Sequence, residues 1–282
     1  MRRPFRYGYN TNGFAHHRLD DALRVMADLG YEGCALTLDH AHLDPFSDGV
    51  AMEVERVARL AQALRLSLVV ETGARFLLDP TCKHEPTLLS DDTDGRRRRH
   101  DFLERAAVIA RDLGANVVSL WSGVPPAAVP EVLWQRLVHS VEAIARRAET
   151  IGVTLGFEPE PGMLVESVGD FLDLRAAVDS PALGLTLDLG HCLLTESDAP
   201  EKVVHRVAPM LVNVHAEDMR PPIHEHLAFG LGEMHYGPIL AALRDVEYGG
   251  LVGVELSRDS HRAPEIAKAA LAYLVAAEQE AA

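Results

Sequence analysis

The stretch that decides the fold is Leu183-Gly184-Leu185-Thr186-Leu187-Asp188-Leu189-Gly190-His191. Apolar residues alternate up to Asp188, the pattern of a buried strand. The chain then turns at Gly190 and presents His191. A carboxylate followed three residues later by an imidazole, at the mouth of a strand, is the start of a metal site. The pattern recurs along the chain. Gly156-Phe157-Glu158-Pro159 ends the preceding apolar run, Val212-Asn213-Val214-His215 the following one, and Val252-Gly253-Val254-Glu255 the last. Four apolar runs thus deliver an oxygen or imidazole ligand at the same end.

Working outward, strand patterns fall at residues 6–10, 34–38, 67–70 (running into Glu71), 116–120, 154–158, 183–188, 211–215 and 251–255. Helical periods lie between and after them, at 18–29, 50–64, 96–113, 129–150, 167–178, 201–208, 236–246 and 263–277. Strands alternating with helices imply parallel pairing through helical crossovers. Eight such units close into an α/β fold of the (β/α)8 barrel type, with the active site at the C-terminal ends of the strands. The 282 residues suit one such barrel domain, and no linker or low-complexity tract divides them. An open, doubly wound sheet is the rival architecture. It would spread the four strand ends along a line and leave Glu158 and Glu255 too far apart to share an ion.

Composition narrows the partners. With 48% apolar residues the chain can bury a large core, yet no apolar run reaches the roughly 20 residues of a membrane span. The N-terminal residues lack an apolar signal core, so a cytoplasmic location is expected. A formal charge of −15 repels phosphate backbones and argues against nucleic acid as a partner. Cys34, Cys82 and Cys192 show neither zinc-finger spacing nor a disulfide framework.

Glu158, Asp188, His215 and Glu255 form an oxygen-rich set with one nitrogen. Such a set suits one divalent ion, Mn2+ above all, with Mg2+, Co2+ and Zn2+ also compatible. Glu71 and Trp121 end the third and fourth strands and are expected to line the pocket. His226 is a further substrate contact. The irregular segment 72–94 is long enough to act as an active-site loop, and it carries Lys83 and His84. Lys83, Arg220 and Arg258 are candidates for holding a substrate anion, although no phosphate-cradling glycine loop is present. The run Arg96–Arg99 opens a helix and reads as a solvated face.

Taken together, Gly156-Phe157-Glu158-Pro159, Leu187-Asp188-Leu189-Gly190-His191, Val212-Asn213-Val214-His215-Ala216-Glu217-Asp218, Gly230-Leu231-Gly232-Glu233 and Gly253-Val254-Glu255-Leu256 make the chain resemble the xylose-isomerase-like barrels. More closely, it is similar to their sugar (phosphate) isomerase and epimerase group. The resemblance implies that Glu158, Asp188, His215 and Glu255 hold one divalent metal. It also implies that Glu158 and Glu255 act as acid and base on opposite faces of the substrate, and that His191 touches a substrate oxygen. Related abasic-site endonucleases hold a further zinc through an Asp and a His where this chain has His224 and His226. They also place histidines where it has Glu71 and Trp121-Ser122, so the resemblance does not extend to a three-zinc nuclease.

The expected activity is a divalent-metal-dependent isomerisation or epimerisation of a sugar, sugar acid or cyclitol, phosphorylated or not. Proton transfer by the carboxylates through an enediolate is the expected route. A metal-dependent dehydratase of a keto-cyclitol or dehydroshikimate-like acid is the alternative. A non-catalytic sugar-binding barrel is a second alternative. Superfamily members often form homo-oligomers, and the expected partner is a small carbohydrate-like molecule.

Overall fold

In chain order the regular elements are β1 Arg6–Asn10, α1 Leu19–Leu29, β2 Gly33–Thr37, α2 Val50–Leu64, β3 Ser67–Glu71, α3 Thr93–Leu113, β4 Val117–Leu120 and α4 Pro130–Ile151. There follow β5 Thr154–Phe157, α5 Val168–Val178, β6 Leu183–Asp188, α6 Leu189–Thr195, α7 Pro200–Val207 and β7 Leu211–Ala216. The hairpin strands β8 Asp218–Arg220 and β9 Ile223–Leu227 come next, then α8 Tyr236–Asp245, β10 Leu251–Val254 and α9 Ala263–Glu280. These belong to a computed structural model that describes residues 5–127 and 129–280.

The strands β1 to β7 and β10 close into a parallel barrel, β10 pairing with both β7 and β1. The (β/α)8 architecture expected from the alternation is therefore the fold. The helices start where local chemistry permits. Asp92 accepts hydrogen bonds from the backbone N–H groups of Asp94 and Gly95, so α3 begins three residues earlier than its apolar period suggests. Ser167 and Asp170 form a capping box at α5, and Pro130 occupies the first turn of α4.

Two segments differ from the sequence reading. The turn expected at Gly190 is instead the first turn of α6, because the Asp188 side chain accepts the His191 N–H at 2.9 Å and caps a helix there. The segment after β7 folds into the antiparallel hairpin β8–β9, which lies outside the barrel sheet. Its strands are too short to announce themselves by alternation. The Arg96–Arg99 run is also not a uniformly solvated face. Arg97 and Arg98 are exposed, whereas Arg99 is wholly buried.

Side chains of alternate residues point into the barrel. Ala35, Val69 and Leu251 form a small buried cluster, packed by Val117 and separate from the main core between strands and helices. Two residues beyond Ala35 and Val69 on the same faces stand Thr37 and Glu71, which are paired in the β2–β3 register. The barrel is therefore apolar low down and polar at its C-terminal mouth. Gly156 leaves room in this interior, because a Cβ there would meet the Thr186 hydroxyl and the Val117 side chain. Among the described residues no helix is long and apolar enough to cross a membrane.

Phe157 precedes Glu158, is fully buried, and stacks on Phe171 of α5 with ring centroids 6.3 Å apart. Phe157→Ala is expected to lower the unfolding free energy by about 3–5 kcal/mol, read from urea denaturation.

Candidate active site

Closure of the barrel brings β5, β6, β7 and β10 to one mouth. The register sets Asp188 beside His215, and Gly253 beside His215 from the other neighbour. Glu158 and Glu255 each stand one residue past a strand. Their backbone N–H groups nevertheless continue the ladder, donating to the Leu120 and Ala216 carbonyls at 2.8 and 3.1 Å.

His215 is at the centre. Its Nδ1 lies 3.0 Å from Glu158 Oε1 and 3.1 Å from Glu255 Oε2, and its Nε2 lies 3.0 Å from Glu71 Oε1. Burial works against a charged imidazole, but Glu158, Glu71 and Glu255 outweigh it and hold the His215 pKa well above its usual value. The two glutamates on Nδ1 are driven apart. Burial pushes the Glu158 carboxyl up to about 8, against the pull of His215. Burial would raise Glu255 too, but the charge of His215 and its hydrogen bond prevail and bring it down to about 2. Asn12 Nδ2 donates to Glu255 Oε1 at 2.7 Å and fixes that carboxylate from the other side.

This donor set fits a divalent cation. Ligand atoms of Glu158, Asp188, His215 and Glu255 all lie within 4.8 Å of one another. Asp188 Oδ2 is buried and has no N–H donor within hydrogen-bond distance; the Glu217 carboxyl adjoins it and His191 Nε2 lies 3.7 Å away, an acceptor-rich point where an ion could be held. A cation at Nδ1 would take the place of the proton shared with Glu158 and Glu255, while Glu71 keeps Nε2–H oriented. Glu71, expected as a substrate contact, thus also pairs with the histidine of this donor set.

His191 begins α6 beside this centre. Its Nδ1 donates to the Pro159 carbonyl at 3.1 Å, and its Nε2 is 2.9 Å from His224 Nε2. Burial lowers its pKa to about 4, so the ring is neutral at ordinary pH. Two further groups of potential ligands adjoin the first: His191 with His224 and His226, and Asp188 with Glu217 and His226.

The cavity above the centre measures about 250 Å³. Of the residues singled out in the sequence as substrate contacts, Glu71, Lys83, Trp121, His191, His226 and Arg258 line it. Arg220 does not. Its exposed guanidinium donates to the Leu231 carbonyl, tying the hairpin to the loop after it. Gly73, Arg75, Lys83 and His84 bring part of the long loop to the cavity wall. Arg99 supports that wall from behind. Its guanidinium stacks 4.3 Å from the Trp121 ring centroid and donates to the Thr72 carbonyl at 3.1 Å. Burial pulls its pKa down to about 9, which still leaves it charged at neutral pH.

Asn12, Glu160 and Glu217 are among the site residues left unassigned in the sequence. Asn12 sits in a 3-10 turn just after β1 and carries no recognisable ligand spacing. Glu160 and Glu217 each lie two residues beyond a ligand, and period-two counting from Glu158 and His215 would have found them. Glu217 is fully buried, and its Oε1 accepts the Gly190 N–H at 3.0 Å. A Cβ at Gly190 would collide with that carboxyl, so the glycine of Asp188-Leu189-Gly190-His191 is what admits Glu217. Gly190→Ala is expected to cost about 1–3 kcal/mol through overpacking, seen as a lowered denaturation midpoint.

Residues 23–277 match the family described as the xylose isomerase-like TIM barrel. Fructoselysine 3-epimerase of Escherichia coli O157:H7 is 23% identical over 254 residues, covering 88% of this chain and 89% of that protein. Inosose dehydratase of Lacticaseibacillus casei is 26% identical over 147 residues. That match covers 46% of this chain and 49% of the dehydratase, about half its length. Among solved structures, that of an L-ribulose 3-epimerase superposes with a TM-score of 0.79 at 20% identity, covering 98% of this chain and 95% of the other. Because the match runs through nearly the whole barrel and includes all four residues gathered at its mouth, the chain belongs to the xylose isomerase-like TIM-barrel family.

Proposed function

We propose that the protein is a divalent-metal-dependent isomerase or epimerase acting on a sugar or related polyol ketone. The observation that carries this reading is the pair Glu158 and Glu255. They approach the same His215 nitrogen from two different strands, at 3.0 and 3.1 Å. Two carboxylates arranged around one centre can address a substrate carbon from two sides, which epimerisation requires. The family relationship and the 3-epimerase relative support the same class of reaction.

Glu158, Asp188, His215 and Glu255 would hold the ion, Mn2+ being the best match to three carboxylates and one imidazole. When bound, it supplies Lewis acidity that makes a C–H between carbonyl and hydroxyl oxygens easier to ionise. One glutamate removes the proton from that carbon. The other returns a proton to the opposite face and yields the epimer. Asn12 keeps Glu255 aimed, so its carboxylate need not be oriented during the reaction. His191, neutral and with its Nδ1–H on the Pro159 carbonyl, has Nε2 as an acceptor that could take a substrate hydroxyl in place of His224. Trp121 and the loop bearing His84 form one wall, their rings meeting edge to face at 5.6 Å.

A dehydratase is the second reading. It is favoured by the inosose dehydratase relative and by the neutral His191–His224 pair beside the cavity, which could serve a departing hydroxyl.

Chelation should abolish turnover, and Mn2+ or Co2+ should restore it. Solvent deuterium should enter one substrate C–H across a panel of ketoses and inososes. Glu158→Gln and Glu255→Gln should each lower kcat by about 10²–10⁴-fold with smaller changes in substrate binding. Absence of exchange with every substrate rejects the epimerase reading. A new conjugated chromophore selects the dehydratase. Unchanged ligand binding with no turnover in the native protein selects a non-catalytic barrel.

A further inference from the structure

The long loop brings to the cavity one side chain that the proposed chemistry does not use. His84 lines the same space as Glu158 and Glu255 but stands apart from the four residues gathered for an ion. Its ring meets Trp121 edge to face at 5.6 Å. Trp121 follows β4, the strand whose Leu120 carbonyl accepts the Glu158 N–H. His84 therefore overlooks the cavity from the side of β3 and β4.

Two hydrogen bonds aim the ring. Nδ1 lies 2.6 Å from the Gly73 carbonyl. A carbonyl only accepts, so Nδ1 carries the hydrogen and Nε2 the lone pair. The His84 backbone N–H donates to the Arg75 carbonyl, also at 2.6 Å. These bonds hold His84 at φ +70°, and Ala74 and Arg75 nearby also have positive φ. Left-handed backbone at non-glycine residues persists where the surroundings fix it, and it gathers at functional positions. Arg99, stacked on Trp121, makes the ring's neighbour firm.

Nε2 has no partner among the described residues, and it is not sealed from solvent. Burial lowers the His84 pKa, and the charges of Lys83, Arg99 and Arg75 work in the same direction, against the Gly73 hydrogen bond. The wall thus offers a neutral, fixed acceptor. Such an atom pairs with a hydroxyl and has nothing to give a carbonyl, carboxylate or ether oxygen. A molecule that fills about 250 Å³ beside the carboxylates also reaches this wall.

We infer that His84 is a specificity-determining residue. Its Nε2 accepts the hydrogen of one substrate hydroxyl that is not among the oxygens at the ion, and so selects substrates that carry it. This rests on the isomerase or epimerase reading above and adds a contact to it.

The test is calorimetric binding of D-fructose and its 1-, 4-, 5- and 6-deoxy analogues to the Mn2+-loaded protein. One analogue should bind about tenfold more weakly than D-fructose, because it leaves the acceptor bare. In His84→Asn the amide N–H can keep the Gly73 bond, and asparagine tolerates positive φ, but nothing stands at Nε2. The melting midpoint should hold while the advantage of D-fructose over that analogue disappears. In His84→Gln the amide oxygen reaches the Nε2 position, and part of the advantage should return. An equal advantage in native and Asn proteins, or no analogue weaker than D-fructose, overturns the inference. Uniform loss of affinity with a lowered melting midpoint assigns His84 to loop structure alone and also overturns it. Failure of D-fructose to bind overturns it together with the sugar-ketone reading. Selective loss in His84→Asn without solvent deuterium exchange in the native protein rejects the proposed reaction and leaves the role of His84 standing.

Discussion

One imidazole shared among three glutamates is the interaction on which the rest of the structure depends. His215 reaches Glu158 and Glu255 through one nitrogen and Glu71 through the other, inside a barrel that excludes water from its ring. Buried carboxylates at that density repel one another, so the cluster is stable only with positive charge among them. In the protein alone that charge is a protonated His215. A divalent cation is the natural replacement, and the Asp188 oxygen without an N–H donor points to the same conclusion. Fold and site are therefore coupled: the barrel concentrates negative charge at one place, where a cation could be held.

Around this centre the scaffold works by supplying space and support. Gly190 leaves room for Glu217, and Gly156 leaves room for Thr186. On the far wall, Arg99 braces Trp121 and the start of the long loop. That cation is distant from the carboxylate cluster and acts through an aromatic face rather than an ion pair. The walls are thus stiff where the proposed chemistry needs aim and open where a substrate would enter.

The barrel was legible because eight strand patterns alternate with eight helical ones, and the spacing of each follows from which faces are buried. Glu158, Asp188, His215 and Glu255 were legible as a group for a related reason, since each follows an apolar run at the same point. Other parts carried too little signal. The β8–β9 hairpin is short and half-exposed, so no hydrophobic alternation marks it. The run Arg96–Arg99 looks uniform as text, yet the turn of the helix carries its last member into the core. Arg220 and Arg258 seemed equivalent, each following a strand, but one bonds a loop carbonyl outside the cavity and the other pairs with Glu225 on its wall.

By itself, then, the sequence determined the architecture and the kinds of atoms delivered to one end of it, because periodicity and strand-end position are local properties of the chain. Which of those atoms meet, and which cations are already neutralised, only the tertiary structure decided. Those are matters of distance between residues such as Glu71 and His215, 144 positions apart, and no local pattern encodes them.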